Sequence, residues 1–552
     1  MEEKIQYHMD IQGMTCTDCE HHVTSALESV GASRIQASFR KGEALFWAPP
    51  DFSVTAARSA VSQAGYIPKT THPVVSSGTV YEPSHSDDEY DWVVIGSGSA
   101  AFASAIEARL AGARVAMIER GTLGGTCVNI GCVPSKTLLR ASDLHHAAQS
   151  NPFVGLHTSA APADLAALVA QKDQLVATLR QKKYADLLPE YGIDLFEGEA
   201  RFLDQSRVAV GDRVITGGHY LIATGARPRI PEIAGLQSVD YLTSTSALNL
   251  TSRPDHLIII GSGYIALELG QMFRHWGSAV TLVQRGPTLM PFYDEEVRAV
   301  IQDMLEDAGI EVITGASYSQ VQQDGLKKTL TVSVDGVVRH LQGDALLVAA
   351  GRDPNTEALN LDAAGVLLGS RGEPVTDRTL QTANPRIYAA GDVTLGPQFV
   401  YVAAYEGKIA VQNALGLRPT QEVNLEVVPA VTFTQPALAS VGLTQDAAEH
   451  QGLAVKTSVL PLEAVTRALA NRETRGVFKI VADAEGGRIR GVQIVAENAG
   501  DVIYAATLAV KFGLTVSDLT DTLAPYLTMA EGLKLAALTF DKDVNKLSCC
   551  AG

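Results

Sequence analysis

A chain of 552 residues with 46% apolar content can bury several cores and is too long for one. Its formal charge of −17 leaves no basic stripe to meet a phosphate backbone, which argues against nucleic acid as a partner. The opening Met1-Glu2-Glu3-Lys4-Ile5-Gln6 lacks the basic and apolar regions of a secretory signal, and no run of about 18 apolar residues spans a bilayer, so a cytoplasmic protein without membrane insertion is expected.

Residues 1–68 read as a separate module. Alternation through Ile5, Tyr7, Met9 and Ile11 predicts a strand, Gly13-Met14-Thr15-Cys16-Thr17-Asp18-Cys19 a loop, and His21 to Val30 a helix with Val23, Ala26, Leu27 and Val30 on one face. Arg34 to Phe39 and Ala44 to Trp47 follow as strands, Val54 to Ala64 as a helix and Tyr66-Ile67 as a last strand, a ferredoxin-like βαββαβ order. With its Gly-Met-Thr-Cys-x-x-Cys loop the module resembles the heavy-metal-associated domains of copper chaperones and metal-transporting ATPases, which implies Cys16 and Cys19 as ligands for a soft ion such as Cu(I), Hg(II) or Zn(II). A thioredoxin-like redox pair is the alternative, disfavoured because no βαβ context flanks it. His21 and His22 are expected on a solvated helix face. Residues 69–88, rich in Ser, Thr, Pro and acid, read as a linker reaching roughly 25 Å.

Residues 89–227 open with a strand from Asp91 to Ile95, the turn Gly96-Ser97-Gly98-Ser99-Ala100-Ala101, a helix to about Ala111, and a strand from Arg114 to Ile118 that ends on Glu119. The G-x-G-x-x-A pattern of Gly96, Gly98 and Ala101 lets backbone approach a pyrophosphate at a helix N-terminus, and Glu119 stands where an acid binds a ribose hydroxyl pair. Next comes Gly124-Gly125-Thr126-Cys127-Val128-Asn129-Ile130-Gly131-Cys132-Val133-Pro134-Ser135-Lys136. On an ideal helix Cys127 and Cys132 would sit about 140° and roughly 8 to 9 Å apart, beyond the ~7 Å limit for a disulfide, so the stretch between them must be irregular. Gly131 and Pro134 supply the break and place Cys132 near a helix N-terminus, where the dipole favours a thiolate. A zinc half-site or two unrelated core cysteines are the alternatives, but zinc needs four ligands and no second Cys/His cluster of ligand spacing lies nearby in sequence.

This stretch resembles the redox-active segment of the pyridine nucleotide-disulfide oxidoreductases, and the likeness continues over most of residues 90 to 552. It implies an α/β fold of two Rossmann-like dinucleotide-binding domains followed by an α+β dimerisation domain. FAD would lie in the first unit, with Cys127 as interchange thiol, Cys132 as the thiol against the flavin, Thr126 among the flavin contacts and Lys136 as a cation beside the isoalloxazine. Thr224-Gly225 and Gly391-Asp392 would be flavin-domain turns, Asp392 on the ribityl chain. The resemblance divides the chain into flavin segments 89–227 and 353–428, a nucleotide domain 228–352, and the dimerisation domain 429–552 of a homodimer.

A second fingerprint, Gly261-Ser262-Gly263-Tyr264-Ile265-Ala266, follows the apolar run from Leu257 to Ile260 and implies a second nucleotide cofactor. The strand after it, Ala279 to Val283, ends on Gln284-Arg285. There Arg285 would meet an adenosine 2′-phosphate, so NADPH is expected over NADH; where NADPH-binding relatives carry a further Arg, this chain has Pro291. Tyr264 matches a gating aromatic over the flavin, with core packing as the alternative. His145 and His146 are expected on a helix surface.

Where disulfide-reducing members of the family carry a His-Pro pair, this chain has Tyr526-Leu527, ahead of Glu531. Breaking a substrate disulfide needs a proton on the leaving thiolate; a thiolate-held metal ion does not. The tail Leu547-Ser548-Cys549-Cys550-Ala551-Gly552 adds two thiols that can carry a soft ion inward. The resemblance is therefore to the mercury-reducing branch of the family. It implies an enzyme that receives Hg(II) as small-thiol complexes, relays it between Cys16/Cys19, Cys549/Cys550 and Cys127/Cys132, and reduces it to Hg(0) with NADPH and FAD. Tyr264 and Tyr526 would flank the site, and mercury transport or organomercurial-cleaving proteins are candidate partners. The alternatives are a flavin disulfide reductase for another acceptor, such as a disulfide or quinone, and a copper- or heavy-metal-trafficking protein in which the flavin body is secondary.

Overall fold

The computed structural model describes residues 5–50, 52–73, 89–543 and 546. Its first sheet takes β1 (Ile5–Gln12), β2 (Ser33–Ser38), β3 (Glu43–Ala48) and β4 (Ile67–Pro73) in the order β2-β3-β1-β4, all antiparallel, with α1 (Thr17–Glu28) and α2 (Val54–Gln63) supplying the crossovers. Met9, Ile11, Val23, Leu27, Phe46 and Val61 close a core belonging to this module alone.

Two boundaries differ from the sequence reading. Helix α1 begins at Thr17, so Cys16 occupies the N-cap and Cys19 the first turn, where Asp18 and Glu20 also meet the positive end of the helix dipole. Strand β4 runs on to Pro73, pairing Thr71 with Met9 and Pro73 with Tyr7, so residues 69–73 belong to the sheet and not to a linker. Residues 74–88 lie outside the described residues.

The next layer is a parallel sheet built from β5 (Tyr90–Ile95), β6 (Val115–Glu119), β7 (Asp194–Glu197) and β8 (Arg213–Ile222), ordered β7-β6-β5-β8. Both faces of β5 are covered, as its buried run from Asp91 to Ile95 requires. Helix α3 (Ser99–Leu110) lies on one face. Between β6 and β7 come α4 (Gly125–Ile130), α5 (Cys132–Gln149) and α6 (Leu165–Arg180). A second parallel sheet, ordered β11-β10-β9-β12, joins β9 (His256–Ile260), β10 (Ala279–Val283), β11 (Ile310–Ile313) and β12 (Ala345–Val348), with α7 (Tyr264–His275) as its first crossover. The chain then returns to the first sheet: β13 (Ile387–Ala389) pairs in parallel with Tyr220 to Ile222 of β8. Helix α8 (Val400–Ala414) closes onto the small face of α3, where a Cβ on Gly407 would fall 2.2 Å from the Ala100 carbonyl oxygen.

The last sheet is antiparallel, with strands Ala430–Thr432, Ala437–Gly442, Val455–Pro461, Val477–Asp483 and Ile489–Ala496, backed by helices Ala499–Phe512 and Glu531–Leu538. It is fastened to the second parallel sheet's unit by Lys479, whose buried ammonium lies 2.8 Å from Glu296 and 3.2 Å from Asp294. Tyr504, Phe512 and Leu523 stand exposed in this last unit. Among the described residues no helix is long and apolar enough to cross a membrane.

Candidate active site

Cys127 and Cys132 sit on two helices separated by one glycine. Gly131, with φ −124° and ψ −114°, ends α4 and lets α5 start at Cys132. A side chain there would meet the Thr126 carbonyl oxygen at 2.9 Å, so the break needs glycine for space. At the other end of α4 a Cβ on Gly125 would lie 2.6 Å from Cα of Gly98, which sets the redox segment backbone to backbone against the first dinucleotide turn. Asn129 steadies α4: its amide donates to the Leu123 and Gly125 carbonyls and its oxygen accepts from Arg180.

The two sulfurs are free thiols of unequal character. A hydrogen bond from Cys127, helped by the Lys136 charge, pulls Cys132 down to about 7 against burial and the charge of Glu268. The same hydrogen bond, burial and the charge on Cys132 push Cys127 up. The pair thus holds one thiolate, on Cys132, at the N-terminus of α5. Lys136 donates to Glu268 at 2.8 Å and lies 4.7 Å above the Phe433 ring, while Glu268, 6% exposed, also accepts the Phe433 N–H.

Tyr184 also borders this site, and sequence periodicity gave no sign of it. It rides on a π-helical turn, Gln181–Ala185, inserted after α6; its ring comes within 3.2 Å of where a Cβ on Gly124 would be and packs edge-on to Phe102. Burial, then the charges of Cys127 and Cys132, raise its phenol. Glu268 was missed as well. The available signal was a lone acid in the apolar helix that follows the second fingerprint.

Beside the thiols a cavity brings together Gly96, Gly98, Glu119, Thr126, Thr224 and Gly225. Gly96, at φ +110°, crosses so close to β8's end that a Cβ would sit 2.3 Å from the Ala223 oxygen. Glu119 accepts the Ser97 hydroxyl at 2.5 Å and the Gly121 N–H at 2.7 Å, which holds the acid beside the turn. Ala101 is fully buried and acts in packing α3. On the Gly391-Asp392 turn, Asp392 lies 3.7 Å from Nε of Arg352, a buried nitrogen without a hydrogen-bond partner, and burial raises the Asp392 carboxyl. An open glycine turn at a helix N-terminus, an acid after the next strand and an orphaned guanidinium nitrogen fit a dinucleotide such as FAD.

The second turn repeats the first: a Cβ on Gly261 would meet the Ala349 oxygen at 2.3 Å, whereas one on Gly263 would have nothing within 4 Å. Ala266 is fully buried, and Arg285 stands exposed just past β10. Tyr264 opens α7 and packs against Phe292 at 5.2 Å and Phe399 at 5.9 Å; burial pushes its phenol up to about 12. It belongs to an aromatic cluster and packs, partly buried, against the core.

In the first module the Cys16 and Cys19 sulfurs are 3.2 Å apart. The Thr15 N–H, then hydrogen bonds from Cys16 and Tyr66, draw Cys19 down to about 6. His21 and His22 are exposed, as expected, although His22 reaches the Tyr66 hydroxyl at 3.2 Å. His145 and His146 require correction. His145 bridges the His275 and Ala161 carbonyls, and His146 stacks on His275 at 4.2 Å, because α5 packs along α7 and removes that face from water. Tyr526 is half exposed on the loop before helix Glu531–Leu538, and Glu531 there accepts the Leu527 N–H at 3.4 Å. Cys549 and Cys550 lie outside the described residues.

Residues 90–407 match the family described as pyridine nucleotide-disulphide oxidoreductase, and residues 428–537 match its dimerisation domain. The chain belongs to the pyridine nucleotide-disulphide oxidoreductases. As a member of this family it uses FAD and NADPH. Among curated members it is 57% identical to a mercuric reductase of Bacillus cereus, over 99% of this chain and 87% of that one. It is 57% identical to one of Staphylococcus aureus, over 99% of each, and 42% identical to one of Shigella flexneri, over 99% of this chain and 100% of that protein. Among solved structures it is similar to the HOCl-induced flavoprotein disulfide reductase RclA from Escherichia coli, also solved as a Cu(II) complex, with TM-score 0.74 and 31% identity over 82% of this chain and 100% of that one.

Proposed function

We propose that this pyridine nucleotide-disulphide oxidoreductase reduces Hg(II) to Hg(0) with electrons from NADPH. The observation that carries the reading is a thiol pair beside a cation, Lys136, in a chain that has Tyr526-Leu527 where disulfide-reducing members of the family carry the His-Pro pair that protonates a leaving thiolate. Such a site is poorly equipped to split a disulfide and well equipped to hold a soft ion. The relatives named mercuric reductase, matched along nearly the whole chain, support it.

FAD, when bound, supplies the two-electron relay between the nicotinamide and the thiols. The residues do the rest. Gly96, Gly98, Glu119, Thr126, Thr224, Gly225, Gly391 and Asp392 hold the flavin; Gly261, Gly263 and Arg285 hold the nicotinamide nucleotide. Cys132 and Cys127 present the sulfurs to which Hg(II) binds by ligand exchange, and Lys136 stabilises the thiolate. Tyr264 is a neutral phenol at neutral pH that shields the site and carries no proton away. The ion accepts two electrons, both mercury–sulfur bonds break, and the thiolates stay on the protein.

In this reading Cys16/Cys19 collects mercury when thiols are scarce, and Cys549/Cys550 delivers it across a homodimer interface to a site that Tyr526 completes. A cytoplasmic enzyme of this kind would be fed by mercury transport proteins and by an organomercurial-cleaving enzyme. The test is NADPH oxidation by the purified flavoprotein with Hg(II), glutathione disulfide and lipoamide side by side, in excess small thiol. Turnover with Hg(II) alone and volatile mercury in the headspace is expected; robust disulfide reduction would overturn the reading.

A further inference from the structure

Glu406, on α8, is 3% exposed and accepts the Gly391 N–H at 2.7 Å. It occupies a junction of three backbone segments. The residue after it, Gly407, lies against the Ala100 carbonyl, and a Cβ on Gly391 would fall 3.2 Å from Ala403 and 3.5 Å from Ala100. The carboxyl therefore sits at the Gly391-Asp392 turn, on the helix that packs backbone to backbone against α3, which opens at the first dinucleotide turn.

Its charged surroundings are unbalanced. Asp392 shares the turn, and Arg352 lies toward Asp392. On the outer side of the α3–α8 seam Lys408 is engaged with Glu107 at 3.6 Å. Among the described residues Glu406 forms no ion pair, and the neutral Gly391 N–H is the hydrogen-bond donor set against burial and a neighbouring carboxylate. A buried acid so placed keeps its proton far more readily than one in water. Burial, then the charge of Asp392 against the Gly391 hydrogen bond, raises it to about 7, so both of its states are populated at neutral pH.

We propose that Glu406 is a proton-exchanging positioning residue behind the Gly391-Asp392 turn, binding one proton from solvent as the flavin takes up electrons and releasing it on reoxidation. The inference rests on the cavity holding FAD. NADPH supplies the electrons as hydride, which leaves one added negative charge on the flavin; solvent supplies the proton, and the carboxylate becomes a carboxylic acid with no other bond broken. The Gly391 N–H stays in place in both states, so the turn that carries Asp392 is not disturbed.

The experiment compares wild-type holoenzyme with Glu406→Gln, whose amide oxygen can still accept the Gly391 N–H. On full reduction with dithionite, the infrared difference spectrum of the wild type should gain the carbonyl stretch of a protonated carboxyl, and E406Q should lack it. The wild-type flavin midpoint potential should also fall more steeply with pH near neutrality than that of E406Q, because one further proton accompanies the electrons there. A band that persists in E406Q, or equal slopes, overturns the proposal. Should E406Q lose its flavin, the wild type decides alone: no carboxyl band and a constant slope across neutrality overturn the proposal. A purified chain without flavin would sink the cofactor assignment, whereas a flavin-loaded chain without the band would sink only the role of Glu406.

Discussion

Lys136 of α5 donates to Glu268 of α7 at 2.8 Å, so the cation nearest the Cys132 thiolate is tied to the helix that opens at Tyr264. The two charges oppose each other at Cys132, the ammonium lowering its pKa and the carboxylate raising it. Glu268→Gln should therefore let the thiolate form at lower pH, and Lys136→Met at higher pH, each by about one unit. The pH dependence of thiolate absorbance in the reduced protein measures both. Midpoints that do not move would make the pair a strut between helices and nothing more.

The contact between Gly98 and Gly125 leaves no room for a methyl group, and Gly125 also has φ +67°. Gly125→Ala should force the redox segment away from the dinucleotide turn and cost roughly 2 to 4 kcal/mol. Flavin content after purification should fall together with thermal stability. Retention of a full complement of FAD would show that the segment yields without cost.

Arg285 is exposed beyond β10 and touches a nucleotide only through a 2′-phosphate in the proposed arrangement. Arg285→Ala should raise the KM for NADPH about tenfold, equivalent to ~1.4 kcal/mol, and leave that for NADH unchanged. An equal rise for both would mean that Arg285 acts elsewhere.

The first module has a core of its own, so removal of residues 1–88 should leave a flavin-loaded enzyme with nearly full turnover on Hg(II) supplied with excess thiol. Its loss should appear only when small thiols are scarce. Dissociation or flavin loss on truncation would place the boundary elsewhere.

The tail cysteines are tested by complementation. A heterodimer joining a Cys132→Ala subunit to one carrying Cys549→Ala and Cys550→Ala should keep about half the wild-type activity if each tail serves the neighbouring site. An inactive heterodimer would assign the tail to its own subunit.

What sequence conveyed best were features written in adjacent residues. The two glycine fingerprints, the alternation of β1 and the Gly131 break each depend on a few neighbours, and each lies where periodicity and turn chemistry put it. Boundaries shifted where a helix end was stabilised by acids, as at Thr17, or where a strand found a partner, as in β4. Glu406 and His146 were not legible, because a single polar residue on a helix reads as solvent-facing until the opposing element is known. Tyr184 was hidden by a change of helical pitch that leaves no mark in residue spacing.

The pairing of β13 with β8 also orders events during synthesis. Tyr220 to Ile222 leave the ribosome well before Ile387–Ala389, and until those arrive one side of that strand offers bare N–H and C=O groups. The β9 to β12 sheet, contiguous in sequence, can close in the meantime, so the nicotinamide half matures while the flavin half waits for its last strand and for α8. A nascent chain stalled in that interval presents an open parallel edge to its neighbours, and this is where chaperone capture, or aggregation in its absence, is to be expected.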